Sequence, residues 1–160
     1  MKTAGLDTFC PQNVEAAGCE RYDDLHSLLR DCDVITLHSP LTPETRNMIS
    51  AKEFAVMKPG AMLINTSRGP IVNAQDLADA LNSGKIACAG VDVYEEEPAK
   101  LSDPVFSAKN MICTPHAAAL TNEGNARMAS MCAEGCLAVC RGEQWPRVAD
   151  KKVYEHPRFA

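Results

Sequence analysis

Three side chains in this 160-residue sequence stand at the ends of apolar runs and could do chemistry together. They are Arg68 in Asn65-Thr66-Ser67-Arg68-Gly69, Glu97 before Pro98, and His116 after Pro115. A guanidinium grips a carboxylate with parallel hydrogen bonds, and its charge does not titrate away. An imidazole backed by a carboxylate exchanges a proton near neutral pH, because the anion favours the imidazolium and fixes the ring. A fixed cation, an anion and an imidazole therefore suit proton and hydride chemistry on a small carboxylic acid. Taken singly, each has a plainer reading. Arg68 is a solvated salt-bridge residue, His116 a loop histidine, and Glu97 part of the acidic face Glu95-Glu96-Glu97.

Placement separates the two readings. The sequence predicts short strands at 2–6 and 18–22, the first ending at Asp7. Asp23 then caps a helix carrying Leu25, Leu28 and Leu29. Residues 34–37 read as a buried strand, and Thr42-Pro43-Glu44 as the start of a short helix. Ser50 and Glu53 have capping-box spacing before Phe54, Val56 and Met57. Further strands are expected at 61–64, 86–93 and 111–113. Asn73 caps an intervening helix with Leu77, Ala80 and Leu81 inward, closed by Gly84. A long helix over 121–141 and a polar tail over 142–160 complete the chain.

Apolar strands alternating with helices imply an α/β fold with right-handed crossovers and a doubly wound parallel sheet. Arg68, Glu97 and His116 all fall just after strand C-termini, the edge at which such sheets bind ligands.

Apolar content of 46% and charged content of 23% describe an ordinary globular chain. The net charge of −5 argues against nucleic acid as a partner, which would want clustered Lys and Arg. No apolar run approaches the roughly 20 residues of a membrane span, and residues 1–7 lack a signal-peptide stretch, so a cytoplasmic protein without membrane contact is expected. The 8 cysteines form no zinc-knuckle spacing, and no metal site is expected. Cys132, Cys136 and Cys140 recur along one helical stripe and are expected to pack inward.

His38-Ser39-Pro40-Leu41-Thr42 with Thr45 resembles the HxPLTxxT segment of the D-isomer-specific 2-hydroxyacid dehydrogenases. Asn65 to Gly69, with Val72 and the run Leu77-Ala78-Asp79-Ala80-Leu81, is similar to their NTxRGxxV…LxxAL signature. Ala89-Gly90-Val91-Asp92-Val93 with Glu97-Pro98, and Thr114-Pro115-His116-Ala117-Ala118, resemble the last two signatures. The stretch 148–159 resembles the C-terminal end of phosphoglycerate dehydrogenase-type members. The resemblance implies a Rossmann-like NAD-binding domain and oxidation of a 2-hydroxy acid or reduction of a 2-oxo acid. Arg68 would bind the substrate carboxylate and polarise the C2 oxygen, and His116 would be the acid/base there. Glu97, directly before proline, would pair with the imidazole in preference to Glu95 or Glu96. Asp92 would hold the nicotinamide carboxamide with help from the backbone around Thr66. The HxPLT residues His38, Pro40 and Thr45 would line the cofactor site together with Ser67, Arg68 and His116. Asp7 would accept hydrogen bonds from the adenosine ribose; a carboxylate there repels a 2′-phosphate and favours NAD over NADP. A homodimer is implied for the complete protein.

In one respect the sequence departs from that family: none of its 9 glycines makes a GxGxxG turn. The expectation is a C-terminal portion that starts one strand late, with 1–141 a partial NAD-binding domain and 142–160 belonging to a missing substrate domain. In the strand order 3-2-1-4-5-6 the absent strand is the central one, which would leave two strands on one side and four on the other. Unpaired buried backbone groups cost about 1–3 kcal/mol each, so a lost central strand bears directly on stability. Two rival readings share the fold: an inactive relic, and an interaction subunit that docks through the long helix.

Overall fold

The computed structural model describes residues 1–156. Its strands are β1 (Ala4–Gly5), β2 (Glu20–Arg21), β3 (Val34–Leu37), β4 (Ala61–Asn65), β5 (Ile86–Val91) and β6 (Met111–Cys113). The helices are α1 (Pro11–Ala16), α2 (Leu25–Asp31), α3 (Ala51–Val56), α4 (Ala74–Asn82) and α5 (Asn122–Cys140). All pairings between these strands are parallel, in a two-stranded sheet β1-β2 and a four-stranded sheet β3-β4-β5-β6. This is the expected α/β architecture with the expected partition of strands, and β1 does not pair with β3.

The chain forms two compact units, 1–117 and 118–160. In the first, Ile35, Leu37, Leu63, Ala89 and Val91 of the larger sheet pack with Leu29, Phe54, Leu77 and Leu81 of the helices. Burial alternates along β3 and β4, so these strands are not buried on both faces as the apolar runs suggested. Val34, Met62 and Ile64 are exposed by 43%, 40% and 38%, while Ile35, Leu63 and Asn65 are buried. The period of two in a strand sends neighbours to opposite faces, and α3 and α4 cover only one of them.

Local chemistry shifts several boundaries. The cap of α2 is Asp24, which accepts the Ser27 N–H at 3.0 Å, because the Asp23 carboxylate is taken by Arg21 at 2.6 Å. The helix expected from Thr42 is a turn. Thr45 Oγ1 donates to the Pro40 carbonyl at 2.7 Å and accepts the Thr42 N–H at 2.8 Å, which satisfies locally the groups a helix would have used. Arg46 and Asn47 follow in that turn, Arg46 bonded to Glu95 at 2.8 Å. The Ser50–Glu53 capping box is present, and His26 Nε2 lies 3.0 Å from the same glutamate. Burial raises the Glu53 pKa, but the hydrogen bonds from His26 and Ser50 outweigh it and hold the carboxyl below the usual range.

In the second unit Thr121 caps α5 with its hydroxyl on Gly124 N–H. Gly135 faces the Trp145 indole, and Tyr154 brackets the Trp145 backbone, accepting its N–H at 2.6 Å and donating to its carbonyl at 2.8 Å. Cys132, Cys136 and Cys140 are exposed, which corrects the inward packing expected of them. Ala138 is the one residue of the helix that is buried. Among the described residues no helix is long and apolar enough to cross a membrane. The last residues of the stretch 148–159 lie outside the described residues.

Candidate active site

The first half of the site is a pair of loops tied across the ends of β3 and β4. Asn65, the last residue of β4, is buried, and its side chain closes the following turn. Its Oδ1 accepts the Ser67 N–H at 3.1 Å and its Nδ2 donates to the Arg68 carbonyl at 3.0 Å. The Ser67 hydroxyl donates to the Ser39 carbonyl and so joins this turn to the loop after β3. Residues 38–41 and 66–68 then line a cleft of about 520 Å³. Arg68 is exposed at its wall, and Nη1 donates to the Ser67 carbonyl at 2.7 Å, which draws the guanidinium back over its own turn.

Gly69 is required by close approach. A Cβ there would lie 2.0 Å from the carbonyl carbon and oxygen of Tyr94. Gly69→Ala should therefore force the Arg68 turn away from the β5 loop. Thermal melting should show a loss of about 1–3 kcal/mol or more, the usual cost of overpacking, and an unchanged melt would refute the close contact.

The second half comes from the loops after β5 and β6. Asp92 is buried, and its Oδ1 accepts the Thr114 hydroxyl at 2.5 Å and the Ala117 N–H at 2.8 Å. Those two bonds bracket Pro115-His116. His116 sits at φ 54°, a left-handed conformation uncommon for a side chain with a Cβ, and one that persists only where neighbouring structure holds it. Its Nδ1 lies 2.6 Å from Glu97 Oε2. Because Nδ1 faces the carboxylate, Nε2 is the nitrogen able to exchange a proton with a ligand. The hydrogen bond from His116 holds the Glu97 carboxyl below the usual range. Partial burial opposes this, while the Tyr94 N–H and the charges of His116 and Arg68 reinforce it. Arg68 thus lies within electrostatic reach of the pair.

The other candidate residues are placed as follows. His38 Nε2 lies 2.9 Å from Thr36 Oγ1, and Thr66 lines the cleft. Pro40 and Thr45 bond to one another, so the Thr45 hydroxyl is spent on the loop's own shape. Asp7 Oδ1 accepts the N–H groups of Phe9 and Cys10 at 2.9 Å each, and these bonds, that from Cys10 first, lower its pKa. Its Oδ2 has no hydrogen bond among the described residues. Asp7 is therefore a turn residue with one oxygen to spare. The sequence reading gave no role to Asn65, Ser39 or Tyr94. An asparagine two residues before a serine at a strand end is an Asx-turn signal that points to Asn65. Ser39 and Tyr94 carry no such local mark.

The match to the family model described as "D-isomer specific 2-hydroxyacid dehydrogenase, NAD binding domain" covers residues 1–118, and the chain belongs to that family. It is 44% identical over 143 residues to a glyoxylate reductase of Thermococcus litoralis, covering 89% of this chain and 43% of that protein. Identity to the D-3-phosphoglycerate dehydrogenase of Methanocaldococcus jannaschii is 41% over 144 residues, covering 89% of this chain and 27% of that one. Among solved structures, the D-lactate dehydrogenase with NAD⁺ from Lactobacillus jensenii superposes with a TM-score of 0.81 at 31% identity, over 94% of this chain and 48% of its own. The chain spans less than half the length of each.

Proposed function

We propose that the chain supplies the acid/base and carboxylate-binding half of an NAD-dependent D-2-hydroxyacid dehydrogenase. The observation that carries the reading is His116 Nδ1 paired with Glu97 at 2.6 Å, with the Arg68 charge felt at the same carboxylate. In hydroxy-acid oxidation His116 Nε2 removes the C2 hydroxyl proton, Glu97 steadies the imidazolium that forms, and Arg68 holds the carboxylate. In the reverse direction His116 returns the proton to the oxygen of a 2-oxo acid. Bound NAD supplies the hydride acceptor for C2. Glyoxylate and hydroxypyruvate are the first substrates to assay, because similar proteins bear those names. A cytoplasmic homodimer, with 1–141 in the nucleotide-binding domain and 142–160 in a substrate domain, completes the reading.

The residues present fit the nicotinamide half of NAD better than its pyrophosphate. The cleft after β3 and β4 has Thr66 and Ser67 on its wall for that half, and at the other end Asp7 keeps one oxygen for an adenosine ribose hydroxyl. A pyrophosphate is usually held by backbone N–H groups of a glycine-rich turn and the helix behind it. The sequence has no such turn. Calorimetry on the isolated chain should accordingly show no micromolar NAD binding, and a micromolar Kd would overturn that expectation.

The reading is tested by placing the corresponding upstream parts of the T. litoralis glyoxylate reductase ahead of this chain and following NADH oxidation with glyoxylate and hydroxypyruvate. Turnover that is lost in His116→Ala supports it. A folded chimera that binds NADH but turns over neither acid favours the inactive relic.

A further inference from the structure

Glu97 and His116 are exposed by 38% and 48%, and they come from separate loops after β5 and β6. Water competes for both groups, so their 2.6 Å contact depends on how firmly the two loops are registered. Asp92, the first residue after β5, reaches across to the second loop through Thr114 and Ala117. Tyr94 touches both. Its backbone N–H donates to Glu97 Oε1 at 3.2 Å, and its hydroxyl donates to the Thr114 carbonyl at 2.9 Å, two residues before His116. Its carbonyl group also abuts Gly69, next to Arg68.

The ring itself is fixed. Tyr94 is buried and stacks on Phe106 with centroids 5.4 Å apart and planes at 25°. Burial, the largest cause, pushes the phenol pKa up to about 12, so the hydroxyl remains a donor throughout the working pH range.

We propose that Tyr94 is a positioning residue of this site: its backbone holds Glu97 while its hydroxyl holds the segment bearing His116, so that one buried residue bonded at both ends sets the register of the ion pair. The inference rests on the acid/base reading of that pair given above. Tyr94 acts through His116 and Glu97 and touches no substrate. Its hydroxyl is the informative group, because Tyr94→Phe keeps the stacked ring and the N–H to Glu97 and removes the hydroxyl's bonds at the end of β6, to the Thr114 carbonyl and the Cys113 thiol.

The test uses the full chain and reads the Glu97 carboxyl by ¹³C NMR titration, assigned from Glu97→Gln. In the unmodified chain Glu97 should titrate below the ordinary carboxylate range. In Tyr94→Phe its midpoint should rise by about half a pH unit or more toward the His116→Ala value, since a looser His116 stabilises the carboxylate less. Melting should stay close to that of the unmodified chain. A lower melting temperature with an unmoved Glu97 midpoint means a merely structural tyrosine and overturns the proposal. Loss of folding in Tyr94→Phe overturns it too, because the role would then be fold-wide. Independently of any variant, nuclear Overhauser contacts from the Tyr94 ring to Thr114 and Pro115 are required, and their absence is fatal. If Glu97 titrates in the ordinary range in the unmodified chain, the ion pair is missing and the acid/base reading falls with the proposal. If Glu97 is depressed there and unmoved in Tyr94→Phe, only the role of Tyr94 falls.

Discussion

His116→Ala, introduced into the chimera with the upstream parts of a glyoxylate reductase, should lower turnover by about 10²–10⁴-fold, the usual weight of a positioned general acid/base. That corresponds to roughly 3–5 kcal/mol of transition-state stabilisation. The expectation follows from geometry. Glu97 occupies Nδ1, so Nε2 is the exchanging nitrogen, and alanine removes it. NADH affinity and melting temperature should change little, because the side chain is half exposed and its one ion-pair partner is also near solvent. Steady-state kinetics with glyoxylate, alongside NADH fluorescence titration, separates the two effects. Near-full activity in the alanine variant would end the catalytic assignment of His116.

The pair carries its own pH signature. Glu97 has its pKa lowered in the folded state, chiefly by the hydrogen bond from His116. A carboxyl so shifted contributes stability that is present above its unfolded pKa and lost as pH falls through the depressed folded value. In His116→Ala that acid-side contribution should shrink, and the Glu97 carboxyl should return toward its ordinary range in a ¹³C titration. The effect on stability is small, since the group is well solvated. The titration midpoint is the sensitive readout, and an unchanged midpoint in His116→Ala would show that something other than the imidazole holds Glu97 ionised.

Much of this was legible in the sequence, for identifiable reasons. Apolar runs fixed β3 to β6 because they are short, bounded by turn residues and separated by amphipathic helices. Asn73 was readable as a cap because it stands just before a helical repeat and its side chain meets a backbone N–H three residues on. The alternation of burial along β3 and β4 was not legible, because an apolar run looks the same whether one face is covered or two. Val34, Met62 and Ile64 show which. The turn at Thr42–Thr45 misled for a different reason. Pro43 suits a first helical turn, but the hydroxyls of Thr42 and Thr45 bind the local backbone instead. The choice of Asp24 over Asp23 depended on Arg21 claiming its neighbour. At the site, the residue types Arg68, Glu97 and His116 announce their chemistry. What aligns them, through Asn65, Asp92 and Tyr94, depends on contacts between loops that no single stretch of sequence contains.

Arg68→Lys should lower kcat/KM for glyoxylate by about 10–10²-fold in the same chimera, even though the charge is kept. An ammonium is a point charge with rotating donors, whereas a guanidinium presents a planar fork matched to a carboxylate. Losing one charged hydrogen bond of that fork costs about 1.5–3 kcal/mol. The structure adds a second reason. Arg68 Nη1 is anchored on the Ser67 carbonyl at 2.7 Å, and the Asn65 side chain fixes the Arg68 carbonyl at 3.0 Å. The guanidinium is therefore held against its turn before any substrate arrives, with its remaining donors available to a ligand. Lysine has one terminal nitrogen, which must either take that anchor or leave it. The KM and kcat effects distinguish the two parts of the role. If Arg68 only binds the carboxylate, KM rises and kcat is unchanged. If it also polarises the C2 oxygen, kcat falls as well, because that interaction strengthens as charge develops. We expect both to change. Unaltered kinetics in Arg68→Lys would mean that the substrate carboxylate is held elsewhere, and that Arg68 belongs to the loop's surface.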